Sequence, residues 1–245
     1  MTLFDLLLLV VAGFFAGLIG FVTGLASIVS YPALLAVGLS PVAANVTNTV
    51  AMVGVGVGAL SNSAREVVDT GPRVWRWTAY AAVGGVVGAI VLLAAPEGSF
   101  EAIVPYLVAL AALALLFQPR IRAFAGGRDL PRTFSTAVFL VAVYGGYFGA
   151  GAGVIFLALI LVCSSETIWR ASILKSYLLG VANLVAAIGF AAFGPVHWPA
   201  AVAMAIGTVA GGWCGPPVVK RIPPGVLRVG VAIAGFGLAA WLALR

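Results

Sequence analysis

Hydrophobic positions run almost without interruption along this chain, and short polar stretches divide them into segments of membrane-spanning length. A helix needs about 20 apolar residues to cross the hydrocarbon core of a bilayer. Two of the segments are short, and each follows a glycine-rich break. The predicted spans are residues 3–22, 25–38, 41–63, 74–95, 101–118, 133–148, 152–164, 166–193, 198–219 and 225–244. The pattern therefore predicts an all-α polytopic membrane protein.

The glycine-rich break occurs twice. The first copy runs from Gly13 to Pro32 and reads GFFAGLIGFVTGLASIVSYP, and the second runs from Val143 to Ile160 and reads VYGGYFGAGAGVIFLALI. A single break of this kind could simply let helices pack closely in lipid. Recurrence at matching positions of two halves favours the binding site of a transporter instead. We expect each break to form a helical hairpin that is either re-entrant or built of two short spans.

Further positions match between the two halves in the same order and with the same spacing within each set. Gly17, Gly20 and Gly24 align with Gly146, Gly149 and Gly153, and Trp75, Gly84 and Gly88 align with Trp198, Gly207 and Gly211. This agreement indicates an internal duplication. It predicts a first transmembrane repeat over residues 1–118, a basic linker over 119–132 and a second repeat over 133–245.

Charge patterning predicts the topology of the chain. At 63% hydrophobic and 8% charged residues, the composition excludes a soluble domain, in which about 25% of residues are charged. The net charge of +6 lies in short loops, where basic residues mark the cytoplasmic side, so it indicates no nucleic-acid binding. The basic loops hold Arg65, Arg73 and Arg76, then Arg120, Arg122, Arg128 and Arg132, and finally Lys220, Arg221 and Arg228.

Counting crossings between these loops predicts the architecture. Two cytoplasmic loops must be separated by an even number of crossings, which requires the second broken segment to turn back instead of crossing once. Each half then crosses the membrane an odd number of times. The prediction is therefore two inverted repeats, each with a glycine-broken helical hairpin plus three transmembrane helices, and a substrate bound near the midplane between them.

Few polar residues lie inside the predicted spans, and most of them cluster on two helices that occupy the same place in the two halves. The residues that share a face by i, i+3 and i+4 spacing are Asn45, Asn48 and Thr49 on the first helix and Ser172, Lys175 and Ser176 on the second, followed by Asn183. They are candidate substrate ligands. Such side chains also serve as contacts between helices in membranes, and the sequence leaves both roles open.

Lys175 carries the clearest chemical signal. A charged residue at mid-bilayer costs at least about 2.5–3.5 kcal/mol, and no carboxylate inside the spans is placed to pair with this one. A buried cation with hydroxyl and amide neighbours suits a small anion, and helix ends at the hairpins favour the same charge. We expect Gly24, Gly151 and Gly153 to let backbone approach the ligand. In the alternative interpretation, Lys175 snorkels to the cytoplasmic surface.

Motifs of enzymes and metal proteins are absent from the sequence. It has no acid pair, no Cys/His cluster, no nucleophile elbow and no phosphate-binding loop, so we expect no enzyme activity, no metal and no cofactor. Cys163 and Cys214 lie in apolar segments and are expected to be structural. Without an ATP-binding module, transport would be passive or driven by an ion gradient, and the sequence leaves H⁺ undecided as a coupling ion. The expected partners are a small anionic substrate and the lipid bilayer. The sequence also allows a homodimer with a second copy of the chain.

The motifs of both halves resemble one family of membrane proteins. The first half contains GLIGFVTG, a hydrophobic run to Pro32 and SPVAANVTNTV, and the second contains GGYFGAGAG followed by ASILKSYLLGVANLV. Over essentially its whole length the chain resembles the TauE/SafE family of sulfite and organosulfur anion exporters. The resemblance implies export of sulfite, a sulfonate such as sulfoacetate, or a related small oxyanion across a bacterial inner membrane. The alternatives are an exporter of another anion or of a metal ion, and a non-transporting membrane subunit.

Overall fold

The computed structural model describes residues 1–219 apart from 62, 97, 124–130 and 165, together with positions 229, 233, 236, 237 and 240. The described residues form ten α-helices and no strand, which confirms the all-helical prediction. The helices are α1 (Leu3–Thr23), α2 (Ser27–Ala36), α3 (Pro41–Ser61), α4 (Ala64–Val68), α5 (Arg73–Ala94), α6 (Ser99–Ala123), α7 (Pro131–Tyr147), α8 (Ala152–Cys163), α9 (Ile168–Phe193) and α10 (Trp198–Val219). Most of the predicted 225–244 span, and the basic residues Arg128, Lys220, Arg221 and Arg228, lie outside the described residues.

Helix lengths agree with a polytopic membrane protein. Among the described residues, four helical segments are long and apolar enough to cross a membrane, and they are Leu3–Phe21, Pro41–Ser61, Arg73–Ala94 and Trp169–Phe193. The short helix α4 was not predicted and lies in the first basic loop. Helix α9 begins at Ile168, two residues later than expected, because the Thr167 side chain accepts a hydrogen bond from the Arg170 amide and caps it.

Both glycine-rich segments break the chain into separate helices. Helix α1 ends at Gly24, which has a φ of +83°, and Gly149 and Gly151 separate α7 from α8 with φ values of +79° and +80°. Glycine populates this left-handed region readily, whereas other residues do not. The helices that follow the breaks have 10 and 12 residues, or about 15 and 18 Å, roughly half the hydrocarbon core of a bilayer.

The outer helices pack across the two halves of the chain. Helix α1 of the first half packs on α10 of the second, and α5 of the first half packs on α7 of the second. Gly13 contacts Met204 and Gly17 contacts Thr208, so α1 and α10 run in the same direction. Gly54 of α3 contacts Ala205 of α10, and Gly58, four residues later, contacts Val209. Helix α3 therefore runs in the same direction as α10 and α1.

Helices α3 and α9 cross in opposite directions at the centre of the protein. The Thr47 hydroxyl near the start of α3 accepts a hydrogen bond from the amide of His197, just beyond the end of α9. At the other end, the Arg170 guanidinium near the start of α9 donates to the Glu66 carbonyl, which follows α3. The two helices therefore bring their polar faces together, and residues on both faces are buried.

Candidate functional site

A cavity opens where the two glycine breaks meet the crossing of α3 and α9. Its volume is about 40 Å³, enough for a few water-sized groups. Six of the ten predicted site residues line it, namely Gly24, Asn48, Thr49, Lys175, Ser176 and Asn183. The other four, Asn45, Ser172, Gly151 and Gly153, do not line it. The structure thus brings residues from the polar faces of α3 and α9 to one cavity.

Gly151 and Gly153 pack helices together instead of lining the cavity. A Cβ atom on Gly153 would lie 2.6 Å from the Cα of Gly24, closer than real Cβ contacts allow. Gly151 meets Ala111 of α6 in a similarly close contact. The glycines therefore act by letting backbones of the two halves touch, and of the three, only Gly24 also reaches the cavity.

Lys175 is buried inside the protein and contacts the end of helix α1. Its side chain is 1% exposed, so it does not snorkel to the surface. The ammonium Nζ donates hydrogen bonds of 2.9 Å to the Gly20 carbonyl and 2.8 Å to the Phe21 carbonyl. Carbonyls in the last turn of a helix carry its negative dipole end, and the Gly20 carbonyl also accepts from the Gly24 amide at 2.9 Å. Lys175, from the second half, therefore caps the helix at the first break.

Asn48 holds α2 against α3 beside this cation. Its Nδ2 donates to the Ser27 hydroxyl at 3.1 Å, and its Oδ1 accepts from the Ser30 hydroxyl at 2.5 Å. Ser27 also lines the cavity and, since its oxygen accepts from Asn48, its own hydrogen can be donated to a ligand. Sequence reasoning missed Ser27. Its position three residues after Gly24 was the signal that could have revealed it.

The remaining hydroxyls are bonded within their own helices. Thr49 donates to the Asn45 carbonyl at 3.0 Å, and Ser176 donates to the Ser172 carbonyl at 2.8 Å. Such bonds leave the hydroxyl oxygen available as an acceptor. The Asn45 Nδ2 donates to the Tyr147 carbonyl at 2.8 Å, so Asn45 ties α3 to the end of α7 instead of facing the cavity.

The cavity carries a positive charge. Lys175 is the one charged side chain among the described residues that line it, and amide groups from Asn48 and Asn183 stand nearby. Among the described residues, no group of three His, Cys, Asp or Glu side chains could hold a metal ion. The arrangement can offer an ammonium, amide and hydroxyl donors to a small ligand that carries acceptor oxygens.

The chain is similar to several proteins that are described as membrane transporters. The chain is 28% identical to a protein described as a probable membrane transporter protein, ORF9, from Sinorhizobium, over 92% of this chain and 89% of that one. It is 26% identical to a protein of the same description from Haemophilus influenzae, over 96% and 94%. It is 27% identical to YfcA of Escherichia coli strain K12, over 96% and 90%, which bears that description too. No solved structure matches the chain.

A family model covers nearly the whole sequence. The model described as sulfite exporter TauE/SafE matches residues 9–242, which includes both glycine breaks and both polar helices. The match agrees with the resemblance carried by the glycine motifs. The chain belongs to the TauE/SafE family of membrane transporter proteins.

Proposed function

We propose that this protein exports a small sulfur-containing anion, such as sulfite, sulfoacetate or a related sulfonate, across a bacterial inner membrane. The observation that carries the proposal is Lys175, a buried cation in a cavity whose described lining contains no acidic side chain. A cation held among neutral donors favours an oxyanion over a metal ion, because metal sites need carboxylate, imidazole or thiolate ligands. The family's description as sulfite exporter supplies the substrate class.

The predicted residues take distinct roles in this proposal. Lys175 supplies charge, and Asn48 and Asn183 supply neutral hydrogen bonds together with the unpredicted Ser27. The others shape the site: Thr49 and Ser176 line it, Asn45 and Ser172 lie behind those hydroxyls, and Gly24, Gly151 and Gly153 let the backbones approach.

We also propose that the two halves are inverted repeats. Gly84 and Gly207, which align, meet equivalent backbone atoms. These are the carbonyl of Phe139 and the amide nitrogen of Val143 for Gly84, and the carbonyl of Val10 and the amide nitrogen of Phe14 for Gly207. The two sets are shifted by 129 positions, which is also the offset between Gly17 and Gly146. The opposite directions of α3 and α9 support inversion, since these helices occupy corresponding places in the halves.

Counterflow of labelled sulfite in proteoliposomes tests the function. Wild-type protein should exchange external labelled sulfite for internal unlabelled sulfite, and Lys175→Met should reduce the rate at least tenfold. Arg65→Gln removes an exposed cation from a loop and should leave the rate unchanged. A well-folded Lys175→Met protein that exchanges sulfite at the wild-type rate would contradict the assignment.

Ligand-dependent thermal shifts separate the alternatives. A ligand that binds the folded protein raises its melting temperature in proportion to RT ln(1 + [L]/Kd). Sulfite or a sulfonate should raise the melting temperature of wild-type protein, and divalent metal ions should not. A shift with metal ions alone would favour a metal exporter, and a shift with neither class would favour a non-transporting subunit.

A further inference from the structure

Apolar side chains stand beside the polar groups of the cavity. Leu179 follows Lys175 by four residues on α9, and Met52 follows Asn48 by four residues on α3. Side chains at this spacing are neighbours on one face of a helix, and all four residues line the cavity. An anion that binds at Lys175 therefore has an apolar side chain one turn further along the same helix.

Leu179 also separates the cation from the next polar group on its face of α9. Asn183 follows Leu179 by a further four residues and lines the same cavity. At 1.5 Å per residue, it lies about 12 Å from Lys175 along the helix axis. Its amide is neutral, so a ligand that reaches past Leu179 meets a hydrogen-bonding group and no second cation among the described lining residues.

Backbone and aromatic contacts close the cavity on other sides. Gly56 of α3 and Gly180 of α9 both line it, and a Cβ atom on Gly56 would lie 3.1 Å from the Cα of Gly180. The two helices therefore touch and leave no gap for part of a ligand. Phe148, another lining residue, packs its ring 5.6 Å from that of Tyr31 and 5.7 Å from that of Phe100, centroid to centroid. Walls packed in this way yield little to a larger ligand.

We propose that the cavity selects a compact anion with a single charge, such as hydrogen sulfite or methanesulfonate, and that Leu179 and Met52 set its size limit. The proposal rests on the anion transport proposed above and narrows its substrate class. A volume of about 40 Å³ holds about three or four groups of the size of water, which matches one sulfite or sulfonate head. A longer chain on the sulfur atom would have to displace Leu179 or Met52.

Charge acts against dianionic sulfonates independently of length. Sulfoacetate carries a carboxylate as well as a sulfonate, whereas Lys175 is the one charged side chain among the described residues that line the cavity. Burying a charge without a partner is costly, and the carboxylate would lie against apolar side chains or a neutral amide. Propanesulfonate has a chain of similar length and lacks the second charge, so comparing it with sulfoacetate separates the two effects.

Competition against counterflow of labelled sulfite tests this selectivity, at a slightly acidic pH at which hydrogen sulfite predominates. Methanesulfonate should inhibit wild-type counterflow, whereas propanesulfonate and sulfoacetate should need at least tenfold higher concentrations for the same inhibition. The proposal is overturned if sulfoacetate or propanesulfonate inhibits as well as methanesulfonate does, or if methanesulfonate does not inhibit.

Truncation of the apolar side chains tests their role. Leu179→Ala should lower the inhibitory concentration of propanesulfonate at least tenfold and leave sulfoacetate weak, because it adds space and no charge. Leu184→Ala makes the same truncation at an exposed position of α9 outside the cavity and should retain wild-type selectivity. Met52→Ala repeats the test from α3, in case Leu179→Ala does not fold. Wild-type selectivity in a folded variant would overturn the size limit assigned to that residue, and an equal gain for sulfoacetate would overturn the effect of charge.

Thermal shifts separate this proposal from the proposed function. If sulfite counterflow proceeds and sulfoacetate competes as well as methanesulfonate, transport stands and the selectivity fails. If wild-type protein shows no counterflow, transport fails, and binding still measures the selectivity. A melting temperature that rises with methanesulfonate, and not with the same concentration of sulfoacetate, supports a site for compact monoanions. Equal shifts with both anions, or no shift with methanesulfonate, would overturn it.

Discussion

Gly24 and Gly153, the aligned glycines of the two breaks, touch backbone to backbone beside the cavity. A Cβ atom on Gly153 would lie 2.6 Å from the Cα of Gly24, and the reverse substitution would meet Gly153 and Val154 at least as closely. The contact fixes the two breaks relative to each other without any side chain. It explains why small residues recur here, since any Cβ would push the two halves apart beside the cavity.

Alanine substitution at these two glycines should separate the cost of a steric clash from the cost of a left-handed backbone conformation. Gly153→Ala introduces a steric clash, which costs about 1–3 kcal/mol. Gly24→Ala adds a left-handed φ of +83°, at about 1–2 kcal/mol more. Unfolding in detergent should therefore give the larger loss of stability for Gly24→Ala.

Gly38→Ala is the matched control for this pair. Gly38 has a φ of +92° and open space around it, so its substitution should cost only the conformational part. The packing explanation fails if Gly24→Ala, which shares the positive φ and adds the clash, proves no more destabilising than Gly38→Ala.

Lys175 should also contribute to stability through the carbonyls that it caps. Lys175→Met keeps the apolar stem but removes both bonds. The Gly20 carbonyl keeps its bond from the Gly24 amide, so the loss falls on the Phe21 carbonyl. A buried acceptor left unsatisfied costs about 1–3 kcal/mol, so the melting temperature should fall while Arg65→Gln stays near wild type. An unchanged melting temperature would show that the capping bonds are replaced at no cost.

Asn48→Asp should cancel the positive charge of the cavity with little change in shape. The carboxylate can still accept hydrogen bonds from Ser27 and Ser30, but it places a negative charge in the cavity that holds Lys175. Sulfite affinity, measured by the thermal shift, should fall at least tenfold, or about 1.4 kcal/mol. Retained affinity would mean that the anion does not bind near Asn48.

The sequence predicted features whose signal is local. Glycine and polar residues stand out in a hydrophobic chain, so both breaks and the polar faces that hold Asn48 and Lys175 could be found from spacing. The partners of Lys175 could not, because they are backbone carbonyls of another helix. Gly153 was expected to approach the ligand, yet it contacts Gly24.

Alanine substitutions at helical glycines should change the stability of the protein by different amounts, because the glycines face different neighbours. Gly84 and Gly207 meet backbone atoms of α7 and α1 closely, so alanine at either position should destabilise the protein by similar amounts. Gly189 meets only the Cβ of Ala89, at 3.9 Å. Gly189→Ala should therefore be neutral or stabilise by about 0.5–1 kcal/mol, the helix preference of alanine over glycine.

Denaturant unfolding of the three variants measures these differences. Similar losses for Gly84→Ala and Gly207→Ala would support the repeat, because the two positions correspond in the halves. A large loss at one position and none at the other would argue against equivalent packing.

Thiol labelling should show on which side of the membrane each end of α5 lies. Gly71 follows α4 in the first basic loop, and Gly98 precedes α6. Both have positive φ and nothing within 4 Å, so cysteine at either position carries the same conformational cost and the same freedom to react.

With Cys163 and Cys214 replaced by alanine, a membrane-impermeant maleimide should label Gly98→Cys in spheroplasts. Gly71→Cys should react only after permeabilisation, since its loop holds Arg65, Arg73 and Arg76 and basic loops stay in the cytoplasm. Equal labelling of both in intact spheroplasts would contradict this topology.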